Sequence, residues 1–272
     1  MNVLVRMALI PALLSVQPLK ADAQDPKTPA EESWEVSPEL IREEKMEDSN
    51  FYRYKDNYIL TGNPNTKVQL SLKLRPILGE NFYFGYTQQM FWKLSNKSKP
   101  FQDISFNPEI FYEWVKLHKN LRSVSFGIEH KSNGKDGLES RSLDRFFVES
   151  GVEFGWMGNQ FRWDTRGFWI YDIDWQTNNE IKQYTGFWYT RFAVDGLLDQ
   201  LIPTKAELYV QFNPGGESGT KISYGSLESG LKIRARLFGS LPYLMLQYYH
   251  GYMESLLDYN KPAHSYRVGF LL

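Results

Sequence analysis

Val68-Gln69-Leu70-Ser71-Leu72-Lys73-Leu74-Arg75 puts an apolar side chain at every second position and a polar one between. Successive side chains of an extended chain point to opposite faces, so this run is a β-strand with one apolar and one polar face. The same period returns at Phe82, Phe84 and Tyr86, at Leu208, Val210 and Phe212, and at Leu231, Ile233 and Ala235. Strands are expected near 57–62, 67–75, 81–94, 103–116, 121–132, 142–155, 160–172, 182–194, 204–213, 225–236, 242–254 and 264–272. Short connections fall near Arg75–Glu80, Lys119-Asn120, Met157-Gly158-Asn159 and Gly239-Ser240, and longer polar ones near 95–102, 133–141, 173–181, 214–224 and 255–263. An even number of strands, with short turns at one end and long loops at the other, is the pattern of bacterial outer-membrane barrels. The expected fold class is therefore all-β, a twelve-stranded antiparallel transmembrane β-barrel over 57–272. A soluble lipocalin-like barrel or a sandwich would have fewer strands and an apolar interior.

The rest of the chain agrees with a barrel. Arg6 precedes the apolar run Met7–Val16, and Ala21-Asp22-Ala23 has the small-x-small form of a cleavage site, so residues 1–23 read as a secretory signal peptide. Residues 24–56 are acidic and Pro-rich and read as a mostly unstructured periplasmic extension. No later run reaches the roughly 18 apolar residues of a membrane helix, and mean hydropathy is −0.47. A membrane protein of this composition has to cross with strands. The absence of cysteine excludes structural disulfides and thiolate metal sites. A net charge of −1 gives no general basic surface for nucleic acid. Aromatic residues are 16% of the chain, and Trp92, Trp156, Trp163, Trp169 and Trp188 fit a girdle at the membrane interfaces.

Strand parity also locates chemistry. In 121–132, Val124, Phe126, Ile128, His130 and Ser132 share one face, and Ser123, Ser125, Gly127, Glu129 and Lys131 the other. In the next strand Asp144, Phe146 and Val148 share a face opposite Arg145, Phe147 and Glu149. The apolar face of a membrane barrel points to lipid, so His130, Ser132 and Asp144 are expected to emerge together on the outside. A cationic side chain on that face costs about 2–4 kcal/mol at the midplane and less at the rim. His130 could take the proton of Ser132, which could attack an ester carbonyl, with Asp144 orienting the imidazole. His, Ser and Asp are equally ordinary as rim residues touching lipid headgroups. Glu129, Lys131, Arg145, Glu149 and Glu153 are expected to face inward as a polar plug.

His130-x-Ser132-Asn133-Gly134, followed by Ser140-Arg141-Ser142-x-Asp144-Arg145, resembles the signature of bacterial outer-membrane phospholipase A. Tyr86-Thr87-Gln88, Trp92-x-Leu94-Ser95-Asn96 and Gly251-Tyr252-x-Glu254-Ser255-Leu256-x-Asp258-Tyr259 support the resemblance, which spans roughly 57–272. It implies calcium-dependent hydrolysis of phospholipid acyl esters (A1/A2 and lysophospholipase activity) in the outer membrane, by a homodimer. By resemblance Ser132 is the nucleophile, His130 the base and the Gly134 N–H an oxyanion-hole donor. The Lys135 carbonyl and Ser140 hydroxyl would bind Ca2+, with a carbonyl near Ser98 coming from the partner chain, and Gln88 would lie in the dimer interface. Oxygen ligands suit a hard cation. One departure stands out. The family commonly has Asn where this chain has Asp144, which would hold a cationic His130 more strongly and shift the pH–rate profile. The competing reading is a small outer-membrane porin or transporter, although about twelve strands leave a narrow lumen.

Overall fold

The computed structural model describes residues 50–198, 204–234 and 243–272. The expected signal peptide, the extension as far as residue 49 and the turn expected at Gly239-Ser240 lie outside the described residues. Twelve strands follow one another as antiparallel neighbours. They are β2 (Tyr58–Asn63), β3 (Thr66–Leu74), β4 (Phe82–Trp92), β5 (Phe101–Val115), β6 (Leu121–Ser132), β7 (Ser142–Trp156), β8 (Asn159–Ile173), β9 (Trp188–Asp195), β10 (Ala206–Gly215), β11 (Lys221–Arg234), β12 (Tyr243–Gly251) and β13 (Ala263–Leu271). β13 pairs with β2 from Tyr266↔Asn63 to Leu271↔Tyr58, and β3 pairs with β4. The ring is closed, so its backbone N–H and C=O groups find partners without water, as lipid requires. The connections 93–100, 133–141, 174–187, 216–220 and 252–262 gather at one end of the barrel, and the turn at Met157-Gly158 and the C-terminal end of β13 at the other.

Two features depart from the strand periods. The stretch expected as one strand over 182–194 begins as a short helix, α1 (Ile181–Thr185), and becomes strand only at Trp188. Ile181 is fully buried beside Leu143 and Leu256, so tertiary packing decides that turn. Upstream, β1 (Phe51–Arg53) also pairs with β3, from Phe51↔Leu74 to Arg53↔Leu72. Between β1 and β2 the chain turns into the lumen. There Tyr54 donates to Glu109 Oε2 at 2.6 Å, Lys55 pairs with Glu109 at 2.5 Å, and Asp56 pairs with Lys232 at 2.7 Å.

The two faces are sorted as a membrane barrel requires. Leu70, Leu72, Phe84, Ile110, Phe126, Ile128, Phe146, Val148, Leu208, Val210, Val268 and Phe270 are exposed, whereas Lys67, Glu109, Glu129, Arg166, Glu207, Lys232 and Arg267 are buried. An apolar exterior and a charged interior invert the soluble pattern. These seven buried charges are ion-paired. Arg166 donates to Glu109 at 2.9 Å, to Glu129 at 3.0 Å, to the Tyr54 hydroxyl at 2.9 Å and to Glu149. Arg145 pairs with Glu129, Arg162 with Glu207 at 2.5 Å, and Arg267 with Glu254 at 2.5 Å. At the loop end, Leu143, Ile170, Ile173, Ile181, Leu256 and Tyr259 form an apolar cluster across the mouth. A lumen bridged by ion pairs and capped by apolar side chains does not favour the porin reading.

Arg166→Ala would leave Glu109, Glu129 and Glu149 without their shared cation. Removing one partner of a buried ionic network costs about 3–5 kcal/mol. The urea midpoint of unfolding, read from the heat-modifiable shift in gel mobility, should fall accordingly. An unchanged midpoint would mean that the network contributes little to the barrel.

Candidate active site

The β6–β7 ladder sets the site. His130 is the register partner of Asp144, and Ser132 of Ser142. Phe126 and Ile128 below His130, and Phe146 and Val148 beside them, are exposed, so this is the outward face. His130 Nδ1 and Asp144 Oδ1 are 2.8 Å apart, with side chains 43% and 25% exposed, which makes the pair reachable from outside the barrel. A carboxylate only accepts, so the proton of that bond sits on Nδ1 and the Nε2 lone pair is left as the free basic position. Ser132 lies two residues on, on the same face, about 6.6 Å away along the strand.

Asn133 organises the loop that follows. It is 4% exposed, and its Oδ1 accepts from the Arg141 amide at 3.0 Å and the Lys135 amide at 3.3 Å. Its Nδ2 donates to the Glu139 carbonyl at 2.8 Å. Gly134 has φ +63°, and a Cβ there would lie 2.8 Å from the Phe106 ring. Phe106 is the register partner of Ser132 on β5. Glycine is needed here both for the left-handed backbone and for the close approach to this ring. The Lys135 ammonium pairs with Glu139 at 2.7 Å.

The loop is tied to the next connection. Ser140 Oγ donates to Asp174 Oδ2 at 3.0 Å, and Asn178 Nδ2 donates to the Ser142 carbonyl at 2.9 Å. Hydrogen bonds, led by that from the Thr177 side chain and joined by Ser140 and backbone amides, hold the Asp174 carboxyl below the ordinary carboxylate range. A lowered folded pKa means this anchorage is in place above the ordinary range and is lost as pH falls through the lowered value. Asp174 and Asn178 escaped the sequence reading because their partners lie 34 and 36 residues away, with no local spacing to mark them. A bulge beside Asp144 was equally hidden. Asp144 pairs with Asp172 but Arg145 with Ile170, leaving Tyr171 as the extra, exposed residue.

The remaining expected positions are placed as follows. Gln88 is on β4, between Leu70 and Phe106 in the register, and accepts from the Tyr86 hydroxyl at 3.2 Å. Ser98 is exposed in the 93–100 connection, at the same end as Ser132. No cluster of three or more His, Cys, Asp or Glu suited to a metal occurs among the described residues. The oxygen donors at hand are the Ser140 hydroxyl and the loop carbonyls, with the Asp174 carboxylate adjoining. That set is hard and net negative, and it fits calcium.

A family model described as phospholipase A1 matches residues 36–272. Phospholipase A1 of Escherichia coli K12 is 31% identical over 222 residues, 76% of this chain and 68% of that protein. A putative phospholipase A1 of Neisseria meningitidis serogroup B is 29% identical over 225 residues, 76% of this chain, which spans 54% of that relative's length. Among solved structures, outer membrane phospholipase A from Escherichia coli superposes with a TM-score of 0.66 at 27% identity, covering 82% of this chain and 98% of that one. A Salmonella typhi outer membrane phospholipase dimer with bound calcium gives 0.65 at 26% identity, covering 82% and 91%. The chain belongs to the phospholipase A1 family, and its class is that of a phospholipase built on a twelve-stranded barrel.

Asn133→Ala would orphan the Lys135 and Arg141 amides and the Glu139 carbonyl. Each buried group left unsatisfied costs about 1–3 kcal/mol. Amide exchange at Arg141 should accelerate while the barrel strands keep their protection. Unchanged exchange at that amide would remove Asn133 from its role as organiser of the loop.

Proposed function

We propose that this protein is a calcium-dependent outer-membrane phospholipase that hydrolyses phospholipid acyl esters at Ser132, His130 and Asp144 on the outer barrel face. The observation that carries the reading is the 2.8 Å bond from His130 to Asp144 on the lipid-facing side, with Ser132 on the same face. Ser132 Oγ attacks the ester carbonyl while His130 Nε2 takes its proton, and Asp144 holds the imidazolium that results. The Gly134 N–H donates to the developing oxyanion. His130 then protonates the departing lysophospholipid oxygen, leaving an acyl ester on Ser132. Water, deprotonated by His130, hydrolyses that ester and frees the fatty acid.

Calcium held by the Ser140 hydroxyl and the Lys135 carbonyl would add positive charge near the oxyanion. The Salmonella typhi relative is a dimer with bound calcium. That supports a homodimer as the active form here, with a carbonyl near the partner's Ser98 completing the cation site and Gln88 in the interface. The barrel, and solved relatives named as outer membrane phospholipases, support an outer-membrane location; cleavage after residue 23 is read from the sequence pattern alone. The family resemblance implies A1, A2 and lysophospholipase activities for the site.

Fatty-acid release from phospholipid micelles tests the reading. Ser132→Ala should lower it by about ten-thousand-fold or more, chelator should abolish it, and calcium should restore it, all with the heat-modifiable folded band intact. Release by Ser132→Ala at the parent rate would end the assignment. In Asp144→Asn the side-chain oxygen still accepts from Nδ1, so activity should persist, with its pH–rate profile displaced. An identical profile would show that the Asp144 charge plays no part.

A further inference from the structure

On the far side of the barrel, His250 of β12 and His264 of β13 face one another directly in the antiparallel register. Both side chains are exposed on the outward face, with Nδ1 atoms 3.0 Å apart and ring centroids 4.3 Å apart. Nothing in the hydrolytic reading uses them, because four strands separate this pair from β6 and β7 in either direction round the ring. The pair stands at the loop end, one outward step beyond the exposed Tyr248 and Tyr266. Tyrosines at this position belong to the interfacial girdle, which places the histidines at the level of the headgroups.

A 3.0 Å contact between two Nδ1 atoms requires one to donate and the other to present its lone pair. Two imidazolium rings would offer only donors there, so at least one ring must be neutral. Two nitrogens held at this spacing are a chelate in waiting. Nitrogen–zinc bonds are about 2.0–2.1 Å, and with such bonds a 3.0 Å separation closes an angle of about 94° at the metal. That is close to the cis angle of a tetragonal Cu2+ or Ni2+ site, and a few tenths of an ångström of ring movement reaches the tetrahedral angle of Zn2+. Imidazole selects these ions over calcium, so the pair would not compete with the oxygen donors at 133–141.

We propose that His250 and His264 form a two-histidine site for a divalent transition metal, Zn2+ or Cu2+, on the outer rim of the barrel. The remaining positions on the ion are taken by water. On binding, the ring that carries Nδ1–H shifts its proton to its own Nε2 through solvent, so both Nδ1 atoms bind and no net proton is lost from neutral rings. Acidification protonates the rings and releases the ion.

The full chain, purified in detergent micelles and titrated with Cu2+ alone, tests this by electron paramagnetic resonance. The parent protein should show hyperfine splitting from two equatorial nitrogens, and added Zn2+ should displace the copper. His250→Asn and His264→Asn should each reduce the pattern to one nitrogen and weaken binding by about tenfold or more. Both should keep parent hydrolytic activity in calcium without copper. His118→Asn should leave spectrum and affinity unchanged. A one-nitrogen spectrum in the parent, or a parent-like spectrum in either rim variant, overturns the proposal.

Discussion

Lipid offers the backbone no hydrogen-bond partners, and that constraint governs the structure. Every strand must be paired on both sides, so the sheet closes through β13 and β2. Closure fixes an inside and an outside, and strand parity then assigns each side chain to one of them. Phe126 and Ile128 meet lipid, while Ser125 and Glu129 on either side of them meet the lumen. The charged lumen follows from the same parity. Arg166, Glu109 and Glu129 are accommodated in the interior because each has a partner within hydrogen-bonding distance.

The proposed chemistry sits on the face that parity makes most expensive for it. His130 and Asp144 interrupt an apolar row, near the strand ends where the cost to an ionisable group is lowest. Their mutual bond offsets part of that cost and fixes the imidazole tautomer. An acyl ester in the adjoining leaflet would meet the reactive groups without leaving the bilayer. The rigid scaffold ends at Ser132. Beyond it Asn133 and Gly134 shape a turn in which the Asn133 amide donates to the Arg141 carbonyl and the Lys135 amide to the Asn133 side chain, and Ser140, tied to Asp174, secures the far end of the loop.

Much of this was legible in the sequence because it is local. Alternation at Val68–Arg75 and at Leu121–Ser132 marks strands and faces directly, and placing His130 beside Asp144 needed only parity and adjacency of consecutive strands. What was hidden depends on distant partners. The Ile181–Thr185 turn is helical because Ile181 is buried against Leu143 and Leu256, which no alternation records. Tyr54–Asp56 enters the lumen because Glu109, Arg166 and Lys232 wait there, so a segment that reads as polar extension turns out to be anchored. The bulge at Tyr171 shifts a register without altering composition. Roles for the loop residues Gly134, Lys135 and Ser140 come from the family resemblance alone, since loop carbonyls and amides carry no side-chain signature for periodicity to read.

The central claim is that a nucleophilic serine opens toward lipid. A long-chain alkylsulfonyl fluoride, which partitions into micelles and traps activated serine, measures this most directly when the modified residue is mapped by mass spectrometry. The account predicts a single adduct on Ser132 of the folded barrel, formed from the micelle phase and lost in His130→Ala. Labelling of another serine, or of Ser132 at the same rate without His130, would contradict it.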